Sequence, residues 1–178
     1  MIIQFCGMSG AGKSTLAEQV KIVLAKENVA VEIIDADDYR KHIIRDLGFS
    51  REDRNENIRR LAFIADKFSK HNIVAIICAI NPYEEIRQEI KNNYPNVKTV
   101  FINCNIAELT KRDTKGLYKK AALPDNDPNK LRNLTGINDP FELPANADLI
   151  IDTDRESIAA CVNKLSHFIQ VNAANTHR

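Results

Sequence analysis

The sequence predicts an α/β fold with a mostly parallel central sheet and helices on both faces. Two observations support this prediction. Five runs rich in Ile and Val alternate with helical patterns, and the runs are apolar without strict alternation, as expected for strands covered on both faces. The chain also opens with a strand-like run that leads into a glycine-rich loop and then an amphipathic helix.

The composition indicates one globular domain spanning residues 1–178. The net charge of +1 gives no overall basic field of the kind that attracts nucleic acids or anionic membranes. No apolar run approaches the roughly 18 residues of a membrane span, and the first residues already form a strand. We therefore expect a cytoplasmic protein without a nucleic-acid or membrane partner. The four separated cysteines are interpreted as buried, reduced thiols (Cys6, Cys78, Cys104 and Cys161).

The apolar and helical patterns place the elements along the chain. The predicted strands are 2–6, 29–34, 73–80, 97–103 and 147–152, and the predicted helices are 13–26, 38–46, 51–71, 82–93, 105–111 and 154–171. The segment 112–144 has no clean period, and a loop of that length inside a compact domain is typical of a functional lid. We interpret it as a mobile lid, and the polar end at 172–178 as a frayed, flexible tail.

The loop after the first strand matches the phosphate-binding pattern G-x-x-x-x-G-K-[ST]. Its glycines let backbone N–H groups surround an anion, and the following helix directs its positive end at the same place. Lys13 is predicted to reach the β- and γ-phosphates of ATP, and the Ser14 hydroxyl to ligate Mg²⁺. The predicted ATP-binding residues of this loop are Gly7, Ser9, Gly10, Ala11, Gly12, Lys13, Ser14 and Thr15. The order strand, loop, helix predicts a three-layer P-loop NTPase fold.

A GTPase switch is not indicated. Guanine recognition needs an N-K-x-D sequence, and the two N-K pairs at 129–132 and 163–166 lack the Asp. The D-x-x-G sequence at 113–116 opens the lid and does not follow the third strand.

An acidic cluster follows the second predicted strand. Because the carboxyl ends of parallel strands form the ligand-binding edge of such a sheet, Asp35 and Asp37 are expected at the site. Asp37 is predicted either to orient the metal shell or to take a proton from an acceptor hydroxyl. Asp38 is interpreted as the cap of the next helix.

The helix predicted over 51–71 carries polar residues on its apolar stripe. At 100° per residue, Arg54 and Asn57 fall on the same stripe as Ile58 and Leu61. Inward polar groups need partners, which are either an internal salt bridge or a ligand. With Arg40 nearby, the second alternative predicts an anionic acceptor held by charge-assisted bonds. Phe49 either packs onto this helix or stacks on an acceptor base.

The chain resembles adenylylsulfate kinases over nearly its whole length. The matching segments are "GMSGAGKST", "DADDYR", "LGFSREDRNENIRR", "INPYEEIR", "RDTKGLYKK" and "LTGINDPFELP". The resemblance implies transfer of the γ-phosphate of ATP to the ribose 3′-hydroxyl of adenosine 5′-phosphosulfate. It implies catalytic roles for Lys13 and Asp37, metal binding by Ser14 and Asp37, and Arg112 on the ATP side. The implied acceptor-binding residues are Asp35, Asp37, Arg40, Phe49, Arg54, Asn57, Ile80, Asn81, Lys115 and Leu134.

Four positions depart from the family pattern. Asn81 stands where the family usually has a Ser that can be phosphorylated, so direct transfer is expected. Ala36 replaces a Gly, and Leu134 replaces a Phe that would form the second side of a sandwich round the acceptor base. The stretch 123–133 makes the lid a few residues longer than is usual in the family. Ala122 stands where the lid usually has an Arg.

These departures leave other functions open. A kinase for another nucleotide 5′-anhydride, such as cytidine diphosphoramidate, is the first alternative, because a pyrimidine needs less stacking surface. A non-catalytic nucleotide-binding protein is the second. In the kinase interpretation, Lys115, Lys119, Lys120 and Arg132 close over the phosphates, although Lys119 and Lys120 also fit a solvated basic face. A homodimer is possible by resemblance.

Overall fold

A computed structural model describes residues 1–174 of the chain. It contains one five-stranded sheet in which every pairing is parallel and the strand order is β2-β3-β1-β4-β5. The strands are β1 (Ile2–Cys6), β2 (Val31–Asp35), β3 (Val74–Cys78), β4 (Val97–Asn103) and β5 (Leu149–Asp152). The helices are α1 (Lys13–Lys26), α2 (Ala36–His42), α3 (Arg51–Ser69), α4 (Glu84–Asn93), α5 (Ile106–Arg112), α6 (Leu117–Ala121) and α7 (Ile158–Ala174).

Two hydrophobic cores lie on opposite faces of the sheet. Ile3 and Phe5 of β1 pack with α1 and α7, while Ile2 faces the side covered by α3 and α4. The side chains of alternate residues in this buried strand therefore point into different cores. This confirms the predicted three-layer α/β architecture.

Several boundaries differ from the sequence prediction. α2 begins and ends earlier than predicted, because Asp35 caps it: the Asp35 carboxylate accepts a hydrogen bond from the backbone N–H of Asp37 at 2.9 Å. The assignment of the cap to Asp38 was therefore wrong. α7 continues to Ala174, so residues 172–174 are helical rather than a frayed tail. The rest of the predicted tail, residues 175–178, lies outside the described part of the chain.

Apart from α6, the predicted lid segment consists of turns and irregular backbone. One of these turns is closed by backbone bonds from residues 137–139 to the carbonyl of Leu134. Tyr118 of α6 is buried, and its hydroxyl donates to the carbonyl of Ser9 at 2.8 Å. The segment is thus packed against the phosphate-binding loop.

Two further sequence predictions can be compared with the structure. All four cysteines are free and buried, as expected. Within the described residues, no helix combines the length and the apolar character needed to cross a membrane.

Candidate active site

A cavity of about 510 Å³ opens at the carboxyl edge of the sheet. Its floor is the loop between β1 and α1, and its walls come from the end of β2, the residues after β3 and the segment 114–135. A smaller cavity of about 70 Å³ adjoins it between α2, α3 and the residues after β3. Ligands of open parallel sheets bind at this edge.

Most of the predicted phosphate-binding residues line the large cavity. They are Ser9, Gly10, Gly12, Lys13, Ser14 and Thr15. Gly7 and Ala11 lie behind them: the Gly7 N–H donates to the carbonyl of Ile80 at 3.0 Å, and Ala11 is buried in the core. Gly7 and Ala11 therefore fix the loop, and the other six predicted residues face the cavity.

Lys13 is held within the loop that precedes it. Its ammonium group donates to the carbonyls of Gly7 and Met8, each at 2.8 Å. Loss of hydration through burial lowers the pKa of Lys13 to about 8. An anionic ligand in the loop would stabilise the charged ammonium group of Lys13 in place of the water lost on burial.

The end of β2 brings a carboxylate to the first turn of α1. The Ser14 hydroxyl donates to Asp35 Oδ2 at 2.6 Å. A hydroxyl and a carboxylate are oxygen ligands of the kind that Mg²⁺ prefers, and Mg²⁺ usually takes only one or two carboxylates besides phosphate oxygens and water. Within residues 1–174 there is no group of three or more His, Cys, Asp or Glu side chains that could hold a metal without such help. The donor set therefore fits Mg²⁺ bound together with a nucleotide.

Asp37 lies in the first turn of α2 and is paired with Lys115 of the lid segment. Burial alone would raise the pKa of Asp37, but the hydrogen bond and charge of Lys115 outweigh it and hold the pKa below its usual range. Both residues line the large cavity. The pair links the lid to the acidic end of β2 across the cavity mouth.

Phe49 lies beside two arginines at the junction of the two cavities. The guanidinium carbons of Arg40 and Arg54 lie 4.7 and 5.6 Å from the centre of the Phe49 ring. Phe49 is 57% exposed, so it does not serve as a buried staple on α3. Its ring lines both cavities and is available for stacking.

Both arginines also organise the surrounding backbone. Arg40 Nη1 donates to the carbonyls of Leu47 and Gly48, at 3.0 and 2.9 Å. Arg54 is buried as predicted, and it donates to the carbonyls of Phe49 and Asn133, each at 2.9 Å. It also lies 3.3 Å from Asp139. Arg54 thus forms the internal ion pair of the first alternative and also lines the cavity, while its contact with an acceptor stays a prediction.

The remaining predicted acceptor residues divide between the cavities. Asn57 and Asn81 are buried and line the small cavity, Ile80 lines both, and Leu134 lines the large one. Leu134 belongs to the hydrophobic core and is 4% exposed. Phe49 is the single aromatic side chain among the described residues that line either cavity.

Four predicted cations lie outside the cavity lining. Arg112 donates to the carbonyl of Thr153 at 2.8 Å, and the Thr153 hydroxyl in turn bonds the carbonyl of Ala11 at 3.0 Å. Arg112 therefore contacts the phosphate-binding loop only indirectly, through Thr153. Lys119 and Lys120 are exposed, and Arg132 donates to the carbonyl of Asp125 at 2.6 Å within the lid segment.

Sequence reasoning missed several residues that shape the site. Thr135 lines the cavity with a buried hydroxyl that has no hydrogen-bond partner, and Cys78 lies in its wall. Burial raises the pKa of the Cys78 thiol, so it stays protonated. The only signal for Tyr118 was a large aromatic within the basic run "KGLYKK".

Comparisons with known proteins agree on one family. The family model "Adenylylsulphate kinase" matches residues 1–152. The adenylyl-sulfate kinase of Deinococcus deserti is 40% identical over 172 residues, which cover 97% of this chain and 92% of that protein. The adenylyl-sulfate kinase of Microcystis aeruginosa is 38% identical over 172 residues, covering 94% and 92% of the two chains.

The fold is also shared with a solved structure that holds two nucleotides. The APS kinase of Mycobacterium tuberculosis, solved in complex with AMPPNP and APS, superposes with a TM-score of 0.83 at 29% identity over 96% of this chain and 95% of that one. The match of the family model to most of the chain, together with relatives near 40% identity along almost its full length, shows that this chain belongs to the adenylylsulfate kinase family.

Proposed function

We propose that the chain is an ATP-dependent kinase that phosphorylates the ribose 3′-hydroxyl of adenosine 5′-phosphosulfate to give 3′-phosphoadenosine 5′-phosphosulfate. The observation that carries this proposal is one cavity with a phosphate-binding loop at one end and Phe49 with Arg54 at the other. Membership of the family and the APS kinase solved with AMPPNP and APS support the identity of the two substrates.

On the donor side, the backbone N–H groups of the loop and the Lys13 ammonium bind the phosphates of ATP. Catalysis of phosphoryl transfer is mainly positioning and charge neutralisation. Mg²⁺, when bound, would neutralise charge on the β- and γ-phosphates. Ser14 and Asp37 are the proposed ligands, and the 2.6 Å contact between Ser14 and Asp35 supports Asp35 as a further carboxylate in the metal shell.

On the acceptor side, Asp37 orients the 3′-hydroxyl and accepts its proton. In the state paired with Lys115, the pKa of Asp37 lies below its usual range, so the carboxylate is ionised at neutral pH before the acceptor binds. Lys115, paired with Asp37 here, would turn toward the transferred phosphate as the lid closes. Phe49 stacks on the base, while Arg40 and Arg54 bind the anionic 5′-group. Lid closure excludes water and so limits ATP hydrolysis.

The direct test is to incubate the protein with ATP, Mg²⁺ and adenosine 5′-phosphosulfate and to identify the product. We expect a 3′-phosphorylated product, with transfer abolished by Lys13→Ala. Binding of ATP without acceptor-dependent release of ADP would instead indicate a non-catalytic nucleotide-binding protein.

One observation favours a second candidate acceptor. Leu134 is buried in the core, and Phe49 is the only ring lining either cavity within the described residues, so the base has a stacking partner on one side only. A pyrimidine would lose less than adenine from the missing second ring. Cytidine diphosphoramidate is therefore the second candidate acceptor.

Three further proposals rest on the sequence and on family resemblance. They are a cytoplasmic location, a homodimeric state and a lid that moves during turnover. Light scattering after size-exclusion chromatography tests the homodimer, and a monomer at micromolar concentration would overturn it.

A further inference from the structure

We propose that Glu142 and Arg87 are positioning residues, which hold two walls of the site together at the end where the acceptor is proposed to bind. One wall is the segment 133–142 of the predicted lid, and the other is the loop 79–83 between β3 and α4. The inference rests on the proposed function in one respect: it takes the acceptor to bind near Arg54. Glu142 and Arg87 are not among the residues that line the two cavities, so they act through residues that do.

Glu142 bonds the start of α4 with its backbone and with its side chain. Its backbone N–H donates to the carbonyl of Pro82 at 2.8 Å, and its own carbonyl accepts from Arg87 Nη2 at 2.7 Å. Its Oε2 accepts from the backbone N–H of Glu84 at 2.7 Å, and its Oε1 lies 3.5 Å from Arg51 Nη2. Glu142 therefore joins the far end of the lid segment to α4 and to α3.

The Glu142 carboxylate caps α4 from a distant part of the chain. Tyr83 occupies the N-cap position of α4, and tyrosine is not one of the short oxygen-bearing residues that cap helices well. A carboxylate at this place also meets the positive end of the helix dipole. The start of α4 thus depends on a residue 58 positions later than Glu84.

Arg87 bonds both walls with one guanidinium group. It is 1% exposed, and its Nη1 donates to the carbonyl of Asn81 at 2.7 Å while its Nη2 donates to Glu142. Glu84 balances its charge at 2.7 Å. Gln4 Nε2 donates to the backbone carbonyl of Arg87 at 3.0 Å, and Asn81 Nδ2 donates to Gln4 Oε1 at 3.2 Å. Because the guanidinium is planar and rigid, it fixes the separation of the two carbonyls that it binds.

The contacts of Glu142 reach the cavity through Asp139 and Arg54. Asp139 lies three residues before Glu142, and its carboxylate is 3.3 Å from Arg54 Nη2. Arg54 in turn donates to the carbonyls of Phe49 and Asn133, each at 2.9 Å. Phe49 and Arg54 line both cavities. A shift of Asp139 therefore displaces Arg54, and displacements of about 1 Å are enough to slow an enzyme.

The experiment measures kcat and KM for adenosine 5′-phosphosulfate and the Kd for ATP, well below the melting temperature of each variant. Glu142→Ala removes the cap and the contact with Arg51, whereas Glu142→Gln keeps an oxygen that can accept from Glu84. The Glu142 side chain is 38% exposed, so both variants should fold. Glu89→Ala is the matched control, because Glu89 lies on the same helix and pairs with Arg59.

We expect Glu142→Ala to lower kcat/KM for the acceptor about 10-fold, mostly through KM, with the Kd for ATP unchanged within about twofold. Glu142→Gln should recover most of this loss, and Glu89→Ala should change neither constant. Arg87→Lys is a second variant. It keeps the charge, but one ammonium group cannot replace the fork that binds both carbonyls, so the same pattern is expected.

A double-mutant cycle separates positioning from a purely structural role. Glu142→Ala is combined with Arg54→Ala, which removes the residue through which Glu142 is proposed to act. The 10-fold loss should then shrink to about twofold or less. An equal loss with and without Arg54, or an unchanged kcat/KM in Glu142→Ala, overturns the inference.

Failure of the proposed function gives a different result, since the wild-type protein then does not turn over adenosine 5′-phosphosulfate at all. In that case the inference is tested without a substrate, by amide hydrogen exchange of residues 136–139, whose N–H groups are bonded within the turn. Exchange there should be about 10-fold faster in Glu142→Ala than in the wild type or in Glu89→Ala. Equal exchange in the three proteins overturns the inference.

Discussion

The Ser14 hydroxyl donates to Asp35 Oδ2 at 2.6 Å and so joins the first turn of α1 to the end of β2 at the floor of the cavity. Asp35 has a second role, because its other carboxylate oxygen caps α2. The two roles can be separated experimentally, since Asn keeps the cap and loses the charge.

Asp35→Asn should raise the Mg²⁺ concentration needed for half-maximal activity by about 10-fold or more, because a metal shell loses one carboxylate. The melting temperature should stay close to that of the wild type. Asp35→Ala should additionally lose about 1 kcal/mol of stability with the cap. Mg²⁺ titrations of initial rate, with thermal melts of each variant, measure both effects. An unchanged Mg²⁺ requirement in Asp35→Asn together with a shifted one in Asp37→Asn would place the metal carboxylate on Asp37 alone.

The pKa of Lys13 predicts a pH dependence of ATP affinity. Burial sets this pKa at about 8 in the free protein, and bound phosphate raises it, so ATP binding takes up a proton above pH 8. Affinity should therefore fall as pH rises from 8 to 9.5, by up to about 10-fold per pH unit. Equilibrium titrations of ATP measure the slope. Lys13→Arg, whose charge does not titrate in this range, should have a flat profile, and a flat profile in the wild type would contradict the assignment.

Arg54→Ala should raise the acceptor KM strongly, by about 100-fold, through loss of a buried charged hydrogen-bonding group. The affinity for ATP should be unchanged. Arg59→Ala is the control on the same helix, because Arg59 pairs with Glu89 at the surface and should change neither constant by more than about twofold. Collapse of ATP binding in Arg54→Ala would show that the donor and acceptor ends are divided incorrectly.

Gly136→Ala should disturb the contact between the lid turn and the phosphate-binding loop. Gly136 has φ of 85°, and a Cβ atom there would overlap Met8 Sδ. Gly116 has φ of 66° with no atom within 4 Å of such a Cβ, so Gly116→Ala costs only the left-handed conformation, about 1–2 kcal/mol. Denaturant unfolding should show a larger loss for Gly136→Ala, partly restored by adding Met8→Ala. Equal losses for the two glycine variants would mean that Met8 moves aside without cost.

The regular part of the fold was predictable because its signals are local. β1, β4 and α1 have the predicted boundaries, since each is an uninterrupted apolar or amphipathic run. The start of α2 was missed because its cap is the last residue of a strand, and the sequence offered three aspartates for that role. The stripe on α3 correctly placed Arg54 and Asn57 inside, because helical periodicity is fixed by geometry.

The site was less predictable because it depends on contacts between distant segments. Lys115 pairs with Asp37, which lies 78 positions earlier in the chain. Tyr118 bonds Ser9, which lies 109 positions earlier. The resemblance placed Leu134 beside the acceptor base, and the structure adds that its side chain is part of the core. The buried chain from Arg87 through Gln4 to Asn81 has no sequence signal, since each member is an ordinary polar residue in an apolar context.

The most direct test of the central claim is the release of ADP from Mg·ATP with a panel of acceptors. The panel contains adenosine 5′-phosphosulfate, AMP, cytidine diphosphoramidate and a sample without acceptor. We predict strong turnover with adenosine 5′-phosphosulfate and little with the other three. Preference for cytidine diphosphoramidate would leave the fold and the phosphate-binding loop intact but would contradict the proposed acceptor.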